Sequence, residues 1–228
     1  MVDGFLPHRF PVDDPERLAA REDAHASLAT SVRHLIDLTV RSSVDDDELY
    51  AVATAIDALC DRLAASANPG ALGLRVASTG HLRNEGNPMV GRRNPVAPPL
   101  AVHHDGPAAW AEMTTSAQHE GPPGFVHGGV TAMLLDQVTG SVAAWEGRPG
   151  MTAYLNLTYR RPTPLGPIRC DAGLSEISGR KTTVVGEIRN ADGEVTVEAE
   201  ALFVTPQEWL DRAASMPSGD VGELPSRD

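Results

Sequence analysis

The sequence predicts an α+β protein in which an antiparallel sheet is wrapped around one buried helix. The first observation is a segment from 128 to about 145 that is apolar on nearly every side, as a buried helix is. Its apolar residues are Val130, Met133, Leu134, Val138 and Val142. The second observation is a series of strand signals around this segment, one before it and four after it. Together they predict one buried helix and five antiparallel strands.

The strand before the helix is predicted at 109–117, and the first strand after it alternates Leu155, Leu157 and Tyr159 with polar positions. Further strands are predicted at about 167–177 and 181–190, joined by a tight turn at Ser178-Gly179. Asp192-Gly193 is a strong hairpin signal. It leads into a last strand that alternates apolar and acidic residues from 194 to 203, as a strand with one buried face does.

The N-terminal part has a different pattern. Asp14-Pro15 predicts a helix start, and this helix runs towards Val40. A second helix begins after the acids of 45–47. Its apolar residues recur at three-four spacing, which is typical of an amphipathic helix: Leu49, Val52, Ala53, Ile56, Leu59, Cys60 and Leu63. We expect the two helices to pair with each other.

Prolines and glycines interrupt residues 67–99, which predicts a long connector without regular elements. The predicted organisation is therefore a helical extension at 1–66, the connector at 67–99, an α+β domain at 100–205 and a polar tail at 206–228.

Composition excludes several classes of function. The 228 residues include 31 acidic and 19 basic ones, a net charge of −12, which disfavours a nucleic-acid binder. The sequence contains no run of 18 apolar residues, so it predicts no membrane-spanning helix. The two cysteines, Cys60 and Cys170, form no disulfide framework, and the first residues lack the pattern of a secretory signal. We expect a cytoplasmic protein without a metal or cofactor.

Two features of the buried helix point to chemistry. Asp136 is a carboxylate inside the most apolar helix, where a charge is costly unless it is paired, although it could also lie on one wet edge. His127-Gly128-Gly129 precedes the helix, either as an ordinary flexible loop or as a site where free N–H groups hold an oxyanion. The nine residues from His127 to Asp136 place them on opposite helix faces. One site would therefore need two copies of the helix, which predicts a symmetric homo-oligomer.

Four separated motifs occur in order: EGPPGFVHGGV at 120–130, Asp136, MTAYLNLTYRRP at 151–162, and SGRK at 178–181. In residues 100–205 they resemble the hotdog-fold acyl-CoA thioesterases, closest to the phenylacetate-degradation thioesterase group within the 4-hydroxybenzoyl-CoA thioesterase superfamily. The resemblance implies a hotdog fold, hydrolysis of acyl-CoA to free acid and coenzyme A, and assembly as a dimer or tetramer.

The resemblance also implies site residues. Asp136 would activate water as a general base, or attack the thioester itself. The Gly128 N–H would bind the thioester oxygen with help from His127, and Thr152 would position the water. The residues implied for coenzyme A binding are Gly129, Thr158, Arg160, Arg161, Arg180 and Lys181. Surface arginines that only balance Glu187 and Glu198 are the alternative for the basic positions.

Two other functions are weighed. A hotdog hydratase or dehydratase would carry a histidine shortly after an Asn-Pro pair, and Asn94-Pro95 has none. A non-catalytic acyl-CoA-binding protein would need neither Asp136 nor Thr152. An acyl carrier protein as the thioester carrier is disfavoured because that partner is acidic too.

Overall fold

A computed structural model describes residues 8–10, 14–73, 75–77 and 82–210. The chain divides into two compact units. One comprises residues up to 86 together with 92–94, and the other comprises 87–91 together with the residues from 95 onward. The predicted segment boundaries at 66, 99 and 205 stay predictions.

The first unit contains two capped helices, α1 (Pro15–Arg41) and α2 (Asp46–Ala64). The Asp14 side chain accepts a hydrogen bond from the N–H of Arg17, and Asp45 caps α2 in the same way, as the sequence predicts for helix N-termini. The expectation that the two helices pair is wrong, because α1 and α2 share no extended contact. No residue of α2 is buried.

A small sheet also belongs to this unit, in the order β1 (His8–Phe10), β2 (Arg75–Ala77) and β3 (Leu82–Arg83). Strands β2 and β3 lie within 67–99, so the prediction of a connector without regular elements is wrong there. Backbone hydrogen bonds suffice to pair such short strands, and these leave no apolar periodicity that a sequence could reveal.

The second unit has one antiparallel sheet with the order β4-β5-β7-β8-β9-β6. The strands are β4 (His103–Asp105), β5 (Ala108–Thr114), β6 (Met151–Tyr159), β7 (Pro167–Ser178), β8 (Lys181–Arg189) and β9 (Val195–Val204). The sheet has six strands where five were predicted, because the histidine-rich segment 103–105 pairs with β5. Strand β5 ends at Thr114, and a short 3-10 helix follows at Ala117–His119.

Helix α3 (Gly128–Trp145) packs across this sheet. Its residues Leu134, Leu135, Val138 and Val142 are fully buried, and they meet apolar side chains from β5, β7, β8 and β9. At the closest approach, Gly186 of β8 leaves no room for a side chain: a Cβ there would lie 3.0 Å from Thr139 Cγ2. One buried helix against an antiparallel sheet confirms the α+β class and the hotdog layout. After β9, residues 207–210 form a helical turn, and the rest of the predicted tail lies outside the described residues.

Candidate active site

The loop before α3 folds tightly back on itself. The N–H of Gly121 donates to the carbonyl of Phe125 over 2.9 Å, and the N–H of His127 donates to the carbonyl of His119 over 2.8 Å. A Cβ on Gly121 would lie 2.8 Å from the Cα of His127, so only glycine fits. Gly124 has a positive φ of 81°, which glycine adopts without strain. These contacts explain the glycines of the motif and fix where α3 begins.

His127 caps the N-terminus of α3. Its Nδ1 accepts a hydrogen bond from the N–H of Gly129 over 3.0 Å. An accepting Nδ1 carries no proton, so the neutral ring holds its proton on Nε2, and the exposed side chain presents an N–H donor there. Within the described ranges the Gly128 N–H has no acceptor, whereas the Gly129 N–H is occupied by the cap. Gly128 is therefore the residue whose N–H is available for an oxyanion.

Tyr159 is a site residue that sequence reasoning missed. Its hydroxyl donates to the carbonyl of Gly128 over 3.0 Å, and a Cβ on Gly128 would lie 3.1–3.3 Å from the tyrosine ring and hydroxyl. The end of β6 thus holds the first residue of α3. In the sequence, Tyr159 was recognisable only as one of the alternating apolar positions of a predicted strand.

Asp136 and Thr152 come together as predicted by the family resemblance. The Thr152 hydroxyl donates to Asp136 Oδ1 over 2.9 Å. Asp136 is half-buried on α3, beside Gln137, which accepts a hydrogen bond from the Asn87 side chain. Among the described residues, one hydroxyl and no cation hydrogen-bonds this carboxylate, and a half-buried carboxylate of that kind can accept a proton from water.

A β-bulge at Ala153 places Thr152 beside the helix. Thr152 lies opposite Phe203, and the next pair in register is Tyr154 with Leu202, so Ala153 has no partner. Because paired residues share a face of the sheet, Thr152 lies on the same side as the buried Phe203. Strict alternation from Tyr154 would have placed it on the other face. Bulges redirect side chains in this way next to active sites.

The two halves of the predicted site are separate within one chain. Gly128 and Asp136 are eight residues apart on α3, which corresponds to about 12 Å along the helix axis. No described hydrogen bond joins His127 to Asp136. The chain thus has a carboxylate–hydroxyl pair at one place on α3 and, within the described residues, an N–H group without an acceptor at another.

The predicted basic residues form two groups and not one patch. Arg160 and Arg161 follow the C-terminal end of β6. Lys181 lies level with Met151 at the other end, on the far side of β9, because both residues pair with Val204. About 27 Å of strand separates these ends. Arg160 binds Glu198 over 2.7 Å, which raises the pKa of Arg160, and Arg161 pairs with Glu194 and lowers the pKa of that carboxyl.

The second basic group is less neutralised and contains one residue that the sequence did not suggest. Arg148 donates to the carbonyl of Gly179 over 3.1 Å, and Arg180 donates to the carbonyl of Thr205 over 3.3 Å. These two arginines and Lys181 therefore surround the β7–β8 turn. Within the described residues, the arginines bind carbonyls there, and none of the three pairs with a carboxylate. Thr158 is exposed at the opposite end of β6, across from Glu198.

The remaining candidate side chains have structural roles. Burial raises the pKa of the Cys170 thiol far above neutrality, which removes it as a nucleophile. His103 stacks on Trp110, and His104 stacks on Trp145 at the end of α3, with ring centroids 4.2 and 4.4 Å apart. None of the described helices is long and apolar enough to cross a membrane.

Comparisons with known proteins agree with this architecture. A family model described as "Thioesterase superfamily" matches residues 123–197. A crystal structure described as a thioesterase superfamily protein is 33% identical, with a TM-score of 0.70, over 86% of this chain and 98% of that chain. The chain belongs to the thioesterase superfamily.

Curated relatives match over a shorter region. Acyl-coenzyme A thioesterase THEM4 from Xenopus laevis is 41% identical over 87 residues, and THEM4 from Mus musculus is 44% identical over 87 residues. These matches cover 37% of this chain, and 39% and 37% of the two relatives. The chain thus matches less than two fifths of each.

Proposed function

We propose that this protein hydrolyses acyl-CoA thioesters to the free acid and coenzyme A. The observation that carries the proposal is the hydrogen-bonded pair of Asp136 and Thr152 beside α3, with an unoccupied N–H at Gly128. The THEM4 relatives are named acyl-coenzyme A thioesterases, which supports the same reaction and substrate class.

In the proposed mechanism, Asp136 acts as the general base. It takes a proton from water while the water oxygen attacks the carbonyl carbon of the thioester. The Thr152 hydroxyl donates a hydrogen bond to Asp136. The lone pairs of its oxygen can therefore accept a hydrogen bond from that water. The C–S bond then breaks and the thiolate of coenzyme A leaves. The protonated Asp136 passes to this thiolate the proton that it took from water.

The oxyanion formed by this attack needs a donor. We assign the Gly128 N–H to it, because this N–H lies at the positive end of the α3 dipole and no described group accepts a hydrogen bond from it. Tyr159 holds the Gly128 peptide in place from the carbonyl side, and the His127 cap fixes the direction of the first turn. The Nε2–H of His127 is a further donor for orienting the thioester.

The 12 Å between Gly128 and Asp136 requires two copies of the chain. Among the described strands, β6 pairs only with β9, so its other edge is free, and Met151, Tyr154 and Tyr159 on it are 38–55% exposed. Antiparallel pairing of two β6 strands about Leu155, with Ala153 as the extra residue of the bulge, would place Thr152 opposite the partner subunit's Leu157 on the same face. The partner subunit's Tyr159 and the helix start that it holds would then lie beside Asp136. A homodimer would complete two equivalent sites.

We assign the phosphates of coenzyme A to Arg148, Arg180 and Lys181. Carboxylates already neutralise Arg160 and Arg161, whereas within the described residues no carboxylate pairs with Arg148, Arg180 or Lys181, and the two arginines bind carbonyls. Arginine side chains bind phosphate oxygens through paired N–H groups. In the β6–β6 dimer, the partner subunit's Arg160 would approach this group to about 14 Å, three strand spacings away.

The test measures thiol release from a panel of short, long and aromatic acyl-CoAs. Asp136→Asn should keep the fold and the binding of acyl-CoA but lose about 10²–10⁴ in kcat, the contribution typical of a general base. Asp105→Asn, an exposed carboxylate on β4, is the matched control and should keep full activity. Near-wild-type rates for Asp136→Asn would overturn the mechanism.

The same assay separates the phosphate assignments and the rival functions. Arg180→Gln should raise KM with kcat nearly unchanged, and Arg160→Gln should raise it less. If no acyl-CoA is hydrolysed but acyl-CoA still raises the melting temperature, the protein is an acyl-CoA-binding protein. Consumption of an enoyl-CoA without thiol release would indicate a hydratase.

A further inference from the structure

Helix α2 carries an apolar stripe that is exposed along its whole length. Leu49 is 46% exposed, Leu59 52% and Leu63 55%, and only Ile56 near the middle is half-buried. We define this α2 stripe by its spacing of three and four residues: Leu49, Val52, Ala53, Ile56, Leu59, Cys60 and Leu63. From Leu49 to Leu63 it is about 21 Å long.

A helix of 19 residues with no buried residue is marginal in water, because most helical stability in proteins comes from packing an amphipathic face. The sequence stabilises both ends of α2 nonetheless. Asp45 caps its N-terminus, three acids occupy the first turn, and Arg62 lies in the last turn. The helix ends are thus complete, and within the described part of the chain the stripe has no partner.

We propose that the α2 stripe docks antiparallel against the α2 stripe of a second copy of this chain. A two-fold axis near Ile56 would place Ile56 against the partner subunit's Ile56, and Leu49 against the partner subunit's Leu63. Val52 would face the partner subunit's Cys60. The stripe is therefore self-complementary about its own centre, as a two-fold interface requires.

Charge decides the direction of the pairing. Four consecutive acids, Asp45–Glu48, stand at the N-terminal end, whereas Arg62 stands at the other end beside Asp61, so that end carries little net charge. Parallel pairing would bring both acidic ends together. Antiparallel pairing separates them, places each beside the partner subunit's Arg62, and opposes the two helix dipoles.

The charge of α2 also disfavours the other common use of an amphipathic helix. Helices that lie on anionic lipid carry lysine and arginine on their polar face. Helix α2 carries five acidic residues and one arginine, so an anionic membrane surface would repel it. This interface involves other residues than β6, and it is independent of the proposed hydrolysis.

Cysteine crosslinking of the full chain tests the arrangement, because Cys170 is buried and leaves Cys60 as the reactive thiol. Val52→Cys with Cys60 retained should form a covalent dimer with a short bismaleimide or under mild oxidation. Val52→Cys with Cys60→Ser should not, because in the antiparallel arrangement Val52 faces Cys60 and not a second Val52. Ile56→Cys with Cys60→Ser should crosslink through the symmetric pair.

The opposite face provides the control, since Ala58→Cys with Cys60→Ser should give no dimer. Arg62→Glu should lower the crosslinked fraction of the Val52→Cys chain severalfold. A Cys60–Cys60 crosslink in the wild type would indicate parallel helices and overturn the proposal. Absence of any dimer from Val52→Cys and from Ile56→Cys would also overturn it, and would indicate that the stripe is covered within its own chain. Acyl-CoA hydrolysis measured on the same variants reports on the proposed function separately.

Discussion

Alanine in place of two glycines on opposite faces of the main sheet should change the free energy of unfolding in opposite directions. Gly186 lies on β8, facing α3, between the buried Ala172 and Ala199 of its neighbouring strands. Gly173 lies on β7, opposite the exposed Val185, and an added Cβ would meet nothing within 4 Å. Neither has a positive φ, so alanine is free of backbone strain at both.

The magnitude follows from the contacts. At Gly186 an added Cβ would lie 3.0 Å from Thr139 Cγ2, 3.1 Å from Leu135 Cδ2 and 3.2 Å from the carbonyl oxygen of Asp171, all inside ordinary contact, which begins near 3.4 Å. Overpacking of this kind costs about 1–3 kcal/mol. The lower chain entropy of alanine returns about 0.5–1 kcal/mol. We expect a net loss of about 1–2 kcal/mol for Gly186→Ala, and a gain of up to about 1 kcal/mol for Gly173→Ala.

Thermal and urea unfolding of both variants measures this difference. For a chain of this size, the loss corresponds to a fall in Tm of about 2–8 °C for Gly186→Ala. Leu135 and Thr139 flank Asp136 on α3, so relief of the overlap also moves that carboxylate relative to Thr152, and kcat should fall with stability. The reasoning is refuted if Gly186→Ala unfolds at the same temperature as Gly173→Ala or at a higher one.

Two further predictions concern single side chains. Thr152→Val keeps the shape of the side chain but loses the hydrogen bond to Asp136, so the kcat for acyl-CoA should fall about 10- to 100-fold with little change in KM. Thr152→Ser should retain most of the kcat. Equal rates for the valine and serine variants would exclude a role for the hydroxyl. Burial, and secondarily His103, lowers the pKa of His104 below its ordinary 6.5. The unfolded chain therefore binds more protons between the two values, and stability should decline as pH falls below about 6.5. In urea titrations from pH 7.5 to 5, His104→Phe should flatten this decline, and an unchanged slope would contradict the assignment.

The sequence predicted the core elements well because their signals are local. Periodicity gave α3 and the strands β6 to β9 nearly to the residue, and Asp14 and Asp45 marked two helix starts. Periodicity did not predict the short strands of residues 75–77 and 82–83, because backbone hydrogen bonds alone pair these strands. It also failed on the expected pairing of the two N-terminal helices, because amphipathicity indicates that a helix needs a partner without identifying the partner.

The candidate site divides in the same way. The residue types singled out Asp136, His127 and Gly128, and the family resemblance added Thr152. The nine-residue separation of His127 from Asp136 favoured a site made from two copies of the helix. Tyr159 and Arg148 escaped notice because each acts through a hydrogen bond to a carbonyl of a distant segment.

By itself, then, the sequence determined the α+β class, the buried helix and the set of candidate site residues. Those follow from periodicity, capping and motif spacing, which are properties of neighbouring residues. Only the tertiary structure decided that Thr152 meets Asp136. A strict alternation would have turned Thr152 to the other face of the sheet. Instead, the unpaired Ala153 shifts the register by one residue and brings Thr152 to the helix. A bulge depends on how two strands pair, and that pairing is specified by the partner strand and the helix packed against both.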